Sequence, residues 1–130
     1  MIWQKQKLRW IETKGHKITY IKTYPDMVEM SDFFGFYPDE IDSDIGKYTF
    51  EIDGLIFTYC IVEGWVEITI KAGGETAVEF TAECIESLKI RRDKDGEFIE
   101  IGQNFAIDRM VQIELYIRPK ILLKYASLEC

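Results

Sequence analysis

From residue 47 onward the chain is punctuated at short, regular intervals by turn chemistry: Asp53-Gly54, Glu63-Gly64, Gly73-Gly74 and Asp93-Lys94-Asp95-Gly96. Between these points apolar and polar residues alternate with the period of two that a half-buried β-strand requires. Tyr48, Phe50 and Ile52 alternate with Thr49, Glu51 and Asp53. Val66, Ile68 and Ile70 alternate with Trp65, Glu67, Thr69 and Lys71, and Val78, Phe80, Ala82 and Cys84 with Ala77, Glu79, Thr81 and Glu83. Residues 55–62 form a nearly continuous apolar run, as in a central strand covered on both faces. A short strand over 97–101 follows, and 111–118 alternates again before Pro119, which has no N–H to give to a ladder. Strands joined by such tight turns pair with their sequence neighbours. The pattern predicts a curled antiparallel meander of about six strands over residues 47–118.

A meander of that length curls and needs cover on its apolar face. The first third of the chain supplies part of it. Asp26-Met27-Val28-Glu29 has the form of a capping box, with Asp26 as N-cap and Glu29 at the third helical position. Met27, Met30, Phe33 and Phe34 recur at helical spacing, and Gly35 is a natural stop, so a short helix is expected near 27–34. Residues 2–24 read two ways, as a hairpin about Lys14-Gly15-His16 with Ile18, Tyr20 and Lys22 on a strand, or with a helix over 2–11. The expected class is therefore α+β, rich in β. At 130 residues and 47% hydrophobic, the chain has apolar material for one core and is expected to be a single domain, 1–130.

The residues that carry chemistry are sparse. One histidine, His16, lies beside a glycine in an expected turn, too little for a zinc site or a nucleophile–base pair. Asp93-x-Asp95-Gly96 begins like a calcium loop, but the twelfth position, where a bidentate glutamate is needed, is Asn104. Glycine-rich phosphate loops are missing, and Gly73-Gly74 runs into Glu75, the wrong charge for phosphate. Cys60 and Cys84 lie in apolar stretches, where a free thiol behaves as a small hydrophobe, and Cys130 ends the chain. Neither a metal nor a cofactor is expected, and an enzyme is the weaker class. Charges interrupt the N-terminal residues every few positions, unlike a signal peptide, and no run has the length of a membrane span. The expected location is the cytoplasm.

Charge is distributed unevenly. Residues 26–53 hold nine carboxylates against Lys47 alone, whereas 1–25 hold six cations against Glu12, and the whole chain carries −7. A field of this sign steers towards cationic surfaces and away from polyphosphate, so nucleic acid is not the expected partner. Two acidic surfaces stand out. The run from Asp32 to Asp44 mixes Phe33, Phe34, Phe36 and Tyr37 with carboxylates around Gly35 and Pro38. Its rings Phe33, Phe34 and Phe36 are core candidates, while Tyr37, Asp39, Glu40, Asp42 and Asp44 are candidates for partner contact, an aromatic anchor ringed by orienting charge. The second surface follows from strand alternation, which turns Glu67, Glu79 and Glu83 outward on neighbouring strands, with Glu114 outward on a later one. Interleaved Lys71, Lys89 or Arg118 would neutralise that face.

A small, acidic, β-rich chain with this acidic–aromatic run and an alternating hairpin over 65–84 resembles the immunity proteins of bacterial toxin–immunity pairs, including contact-dependent growth inhibition systems. The likeness is one of general character along the chain. It implies a non-enzymatic protein that binds a basic toxin domain, often a nuclease, and occludes its cleft with Asp39, Glu40, Asp42, Asp44, Glu67, Glu79 and Glu83, with Tyr37 as anchor. Two other classes fit the same composition: a self-assembling structural or phage-type component, and a small-ligand-binding β domain.

Overall fold

A computed structural model describes residues 20–106 and 109–129. Most of the two-way reading of 2–24 falls outside these residues, as do His16 and Cys130. Of the segment that is described, 20–24, only Thr23 makes a bridge, parallel to Ser87. One helix and nine strands follow: α1 (Met27–Phe34), β1 (Glu40–Asp42), β2 (Lys47–Ile52), β3 (Leu55–Cys60), β4 (Trp65–Ala72), β5 (Glu75–Ala82), β6 (Ile85–Asp93), β7 (Gly96–Ala106), β8 (Arg109–Arg118) and β9 (Leu122–Glu129). The class is as expected, β-rich α+β with antiparallel strands, but the meander is divided. β1 to β5 form one sheet in sequence order and β6 to β9 a second.

The helix begins where its capping box places it. The Asp26 carboxylate accepts from the Glu29 N–H, and the Glu29 carboxylate accepts from the Asp26 N–H. It ends at Gly35, whose φ of 96° puts it in the left-handed region, its N–H donating to the Ser31 carbonyl. The hairpin turns also form where the glycines lie. Asp53 and Gly54, and Gly73 and Gly74, all take positive φ, the twist that matches tight hairpins.

Each sheet turns one face inward. Phe50, Phe57 and Ile68 share one row of the first sheet, and Leu88, Ile101 and Ile113 one row of the second. All six are buried in one core, with Met30, Phe33 and Phe34 of the helix. The Phe34 ring stacks on Phe50 with centroids 4.2 Å apart and lies 6.1 Å from Phe57. Arg118 then ties the helix to the second sheet, donating to the Phe33 carbonyl at 2.6 Å and to Glu97 at 3.0 Å. A cation at that end of a helix meets its unsatisfied carbonyls.

The division of the meander lies at Glu83 and Cys84. Cys84 has a φ of 60°, the Ile85 N–H donates to the Gly64 carbonyl, and Gln103 Nε2 donates to the Glu83 carbonyl. Cys84 is thus at a corner and half-buried, not within a strand as the alternation suggested. Cys60 is fully buried and its thiol is free.

Two small buried clusters lie outside the shared core, one on the outer face of each sheet. On the first, Trp65 donates its indole N–H to Glu63 at 2.8 Å, Cys60 lies beside the same carboxylate, and Lys47 sits 5.7 Å over the Trp65 ring. Burial pushes the Cys60 thiol up to about 11. On the second, Phe98 stacks on Tyr116 at 4.5 Å, and Lys124 caps the Tyr116 ring at 4.6 Å. The Tyr116 hydroxyl donates to Asp93. That bond holds the Asp93 carboxyl below its ordinary 3.8, and the Arg92 and Arg118 guanidinium groups hold Glu97 below 4.5.

Three outcomes follow from this packing. Phe34→Ala removes a ring stacked in the core and should cost about 3–5 kcal/mol in chemical denaturation. Carboxyls held below their ordinary values contribute fully above them and lose that contribution as pH falls through the lowered values. The melting temperature should therefore hold from pH 7 to about 5 and fall below about 4, with a shallower fall in Glu97→Gln. A buried thiol with a raised pKa is not a nucleophile, so Cys60 should resist iodoacetamide at pH 8 in the native protein and react only after denaturant is added.

Candidate functional site

The acidic run and the acidic strand face belong to one sheet. β1 is built from the run itself, and its register against β2 places Glu40, Thr49, Thr58, Glu67 and Thr81 in a single row across all five strands. A second row is Glu51, Ile56, Thr69 and Glu79, and a third is Asp42, Lys47, Cys60 and Trp65. Partners in register share a face, as do residues two apart along a strand. Glu40, Asp42, Glu51, Glu67 and Glu79 therefore stand on the same outer face. With strands about 4.8 Å apart, the row from Glu40 to Glu67 spans roughly 14 Å.

No acid in these rows lies directly opposite another. Glu40 and Glu67 face threonines, Glu79 faces Thr69, and Asp42 faces Lys47, so like charges on adjacent strands meet only on diagonals, about 7–8 Å apart. Carboxylates directly opposite one another would repel, and this register softens that cost. The central threonines are themselves satisfied, with Thr49 Oγ1 and Thr58 Oγ1 2.9 Å apart.

The two outer faces differ in how their charge is used. On the second sheet Arg91 pairs with Glu100 at 3.1 Å, Arg92 and Arg118 both pair with Glu97, and Lys124 pairs with Asp95. Gln112 Nε2 donates to both Glu100 and Glu114 at 3.0 Å. Glu114 does face outward, but on this self-neutralised surface, opposite Lys124 in register. On the first sheet, none of Glu40, Asp42, Asp44, Glu51, Glu67 and Glu79 has an ion-pair partner among the described residues. Lys89 and Arg118 lie on the other sheet. Lys71, at the exposed end of β4, and Lys47, held over Trp65, are the cations on this face among the described residues.

Within the acidic run the roles divide. Asp39 Oδ2 accepts from the Glu51 N–H at 2.7 Å, and the Asp39 N–H donates to the Thr49 carbonyl, so this carboxylate anchors the start of β1. Asp42 Oδ1 accepts from the Asp44 N–H at 3.2 Å, closing the turn before β2. The Glu40 and Asp44 carboxylates make no such bond among the described residues. All four acids are exposed. Tyr37 is 71% and Ile41 59% exposed, whereas Phe33 and Phe34 are core. A shallow depression of about 110 Å³ is lined by Glu40, Ile41, Asp42, Lys47 and Thr49.

Glu83 does not join this face. β5 ends at Ala82, and Glu83 lies half-buried in the corner. Glu51, by contrast, belongs to this face without having been singled out. The alternation of Lys47, Thr49 and Glu51 was the available signal for Glu51, but only the register shows which acids share its face. The arrangement offers charge-assisted acceptors to a cationic partner. Among the described residues no group of three or more His, Cys, Asp or Glu is placed to hold a metal ion. No described helix is long and apolar enough to cross a membrane.

No protein-family model matches the chain, and no curated protein matches it significantly. A solved structure does: a chain of the contact-dependent growth inhibition toxin–immunity protein complex from Klebsiella pneumoniae 342, with a TM-score of 0.73 and 27% identity. The match covers 85% of this chain and 100% of that one. The resemblance to the immunity proteins of toxin–immunity pairs is thereby borne out in the fold.

Proposed function

We propose that this protein is the immunity member of a toxin–immunity pair, a non-enzymatic inhibitor that neutralises a basic toxin domain in the cytoplasm. The observation that carries this reading is the contrast between the two outer faces. The second sheet pairs its own charges, whereas the first presents carboxylates that have no ion-pair partner among the described residues, on a continuous, register-defined surface. Unpaired like charges raise the energy of the free fold, and a cationic surface that binds them relieves it. The solved complex supports an assignment to such a pair, and the net charge of −7 favours the side that covers a cationic cleft.

The toxin is a nuclease in this reading, since a cleft that holds polyphosphate must be lined with Lys and Arg. Glu40, Asp44, Glu67 and Glu79 take the place of substrate phosphates and pair with those cations, bidentately where the cation is Arg. Asp39 and Asp42 contribute charge while also holding β1 in place. Tyr37 adds an aromatic contact beside the acids. The site blocks access by covering the cleft, with no covalent chemistry.

Affinity capture from the native host at low and high salt tests this reading. A single basic protein should be recovered at low salt and released at high salt, because exposed pairs are screened within about 10 Å at 0.1 M. The quadruple variant Glu40→Lys, Asp44→Lys, Glu67→Lys, Glu79→Lys should slow association with that protein at least tenfold while shifting the melting temperature by only a few degrees. Recovery of the chain alone, or of a neutral partner indifferent to salt, would overturn it.

A further inference from the structure

Among the described residues the edge strands are β1 and β5 on the first sheet and β6 and β9 on the second, and β6 is already bridged by the segment at Thr23. An edge strand is a template for another chain unless something blunts it. β5 is interrupted by a bulge against β4 near Ile70 and Lys71, a common way of turning an edge aside. β6 carries Lys89, Arg91 and Arg92, and β9 carries Lys124, so neither attracts a basic segment. β1 differs from all three. It pairs with β2 without a bulge, its three residues are exposed, and among the described residues the other side of the strand has no neighbour in the sheet. Glu40 and Asp42 face one side of the sheet, and Ile41, 59% exposed, faces the other.

We propose that β1 is a docking edge to which an extended, basic segment of the partner adds as a sixth strand. This rests on the reading of the protein as an inhibitor of a basic toxin and specifies how the two would join. A strand laid along β1 sets its side chains about 4.5–5.5 Å, Cβ to Cβ, from those of Glu40, Ile41 and Asp42. Its alternate residues are then Arg or Lys against the two carboxylates, with an apolar residue against Ile41. Backbone pairing supplies affinity that does not depend on sequence, and the alternation supplies the specificity. Three residues offer few backbone bonds, so the added strand needs the charge pairs to hold it.

Isotope-labelled protein titrated at low salt with an eight-residue peptide of alternating Arg and Val gives the test. Chemical-shift changes should concentrate at residues 39–44, and amide exchange in β1 should slow. The same peptide with a central Pro in place of one residue, which removes a backbone donor, should bind at least tenfold more weakly, as should the parent peptide to Glu40→Lys. Equal binding of the Pro peptide, or shifts confined to Glu67 and Glu79 without protection of β1, would overturn strand addition while leaving the acidic-face reading standing. Binding no tighter than that of an alternating Glu and Val peptide would overturn both.

Discussion

The hydrogen bonds to backbone carbonyls at the corner of Glu83 and Cys84 determine where charge can gather on this protein. A single curled meander would run its polar face continuously from first strand to last, and the cations of β6 could then interleave with the acids of β4 and β5. The positive φ of Cys84, with Ile85 bonded to Gly64 and Gln103 to Glu83, sends the chain into a second sheet instead. The apolar faces remain on one core, but the polar faces become separate surfaces. Lys89, Arg91, Arg92 and Arg118 go with the second sheet, where acids of that sheet meet three of them in ion pairs. The acids of the first sheet are left without them.

Much of the fold was legible because several elements carry local signals that agree. The helix has a capping box at one end and a glycine at the other, and it forms over the expected span. β2, β4 and β5 alternate and β3 is a nearly continuous apolar run, with positive-φ residues in the hairpin turns. β6 escaped because a register shift between Ile85 and Ser87 sets Ile85 and Leu88 three apart, which hides the period of two. β1 escaped because three exposed residues rich in acid look like a loop until they find a partner strand. β9 lies beyond Pro119, which ended the reading early although the chain resumes pairing at Leu122.

The candidate site was legible in its parts and not in its unity. That Tyr37, Asp39, Glu40, Asp42 and Asp44 are exposed follows from composition and punctuation. That Glu40 and Glu67 share a row follows from a register spanning four strands, which no local pattern specifies. The same register explains why the face is tolerable. Threonines stand opposite Glu40, Glu67 and Glu79, and the Thr49–Thr58 contact fills the space between with a satisfied pair of hydroxyls. The misplacement of Glu83 came from extending alternation across a corner, where the period of two has no meaning.

The bond from Arg118 to the Phe33 carbonyl joins residues 85 positions apart. During synthesis the helix leaves the ribosome early, followed by the whole first sheet, while the guanidinium that secures its last turn is still to be translated. Phe34 has Phe50 and Phe57 to stack on well before that. The acidic sheet and its helix are therefore assembled first and fastened last, and the completed surface waits on one of the final strands to be made.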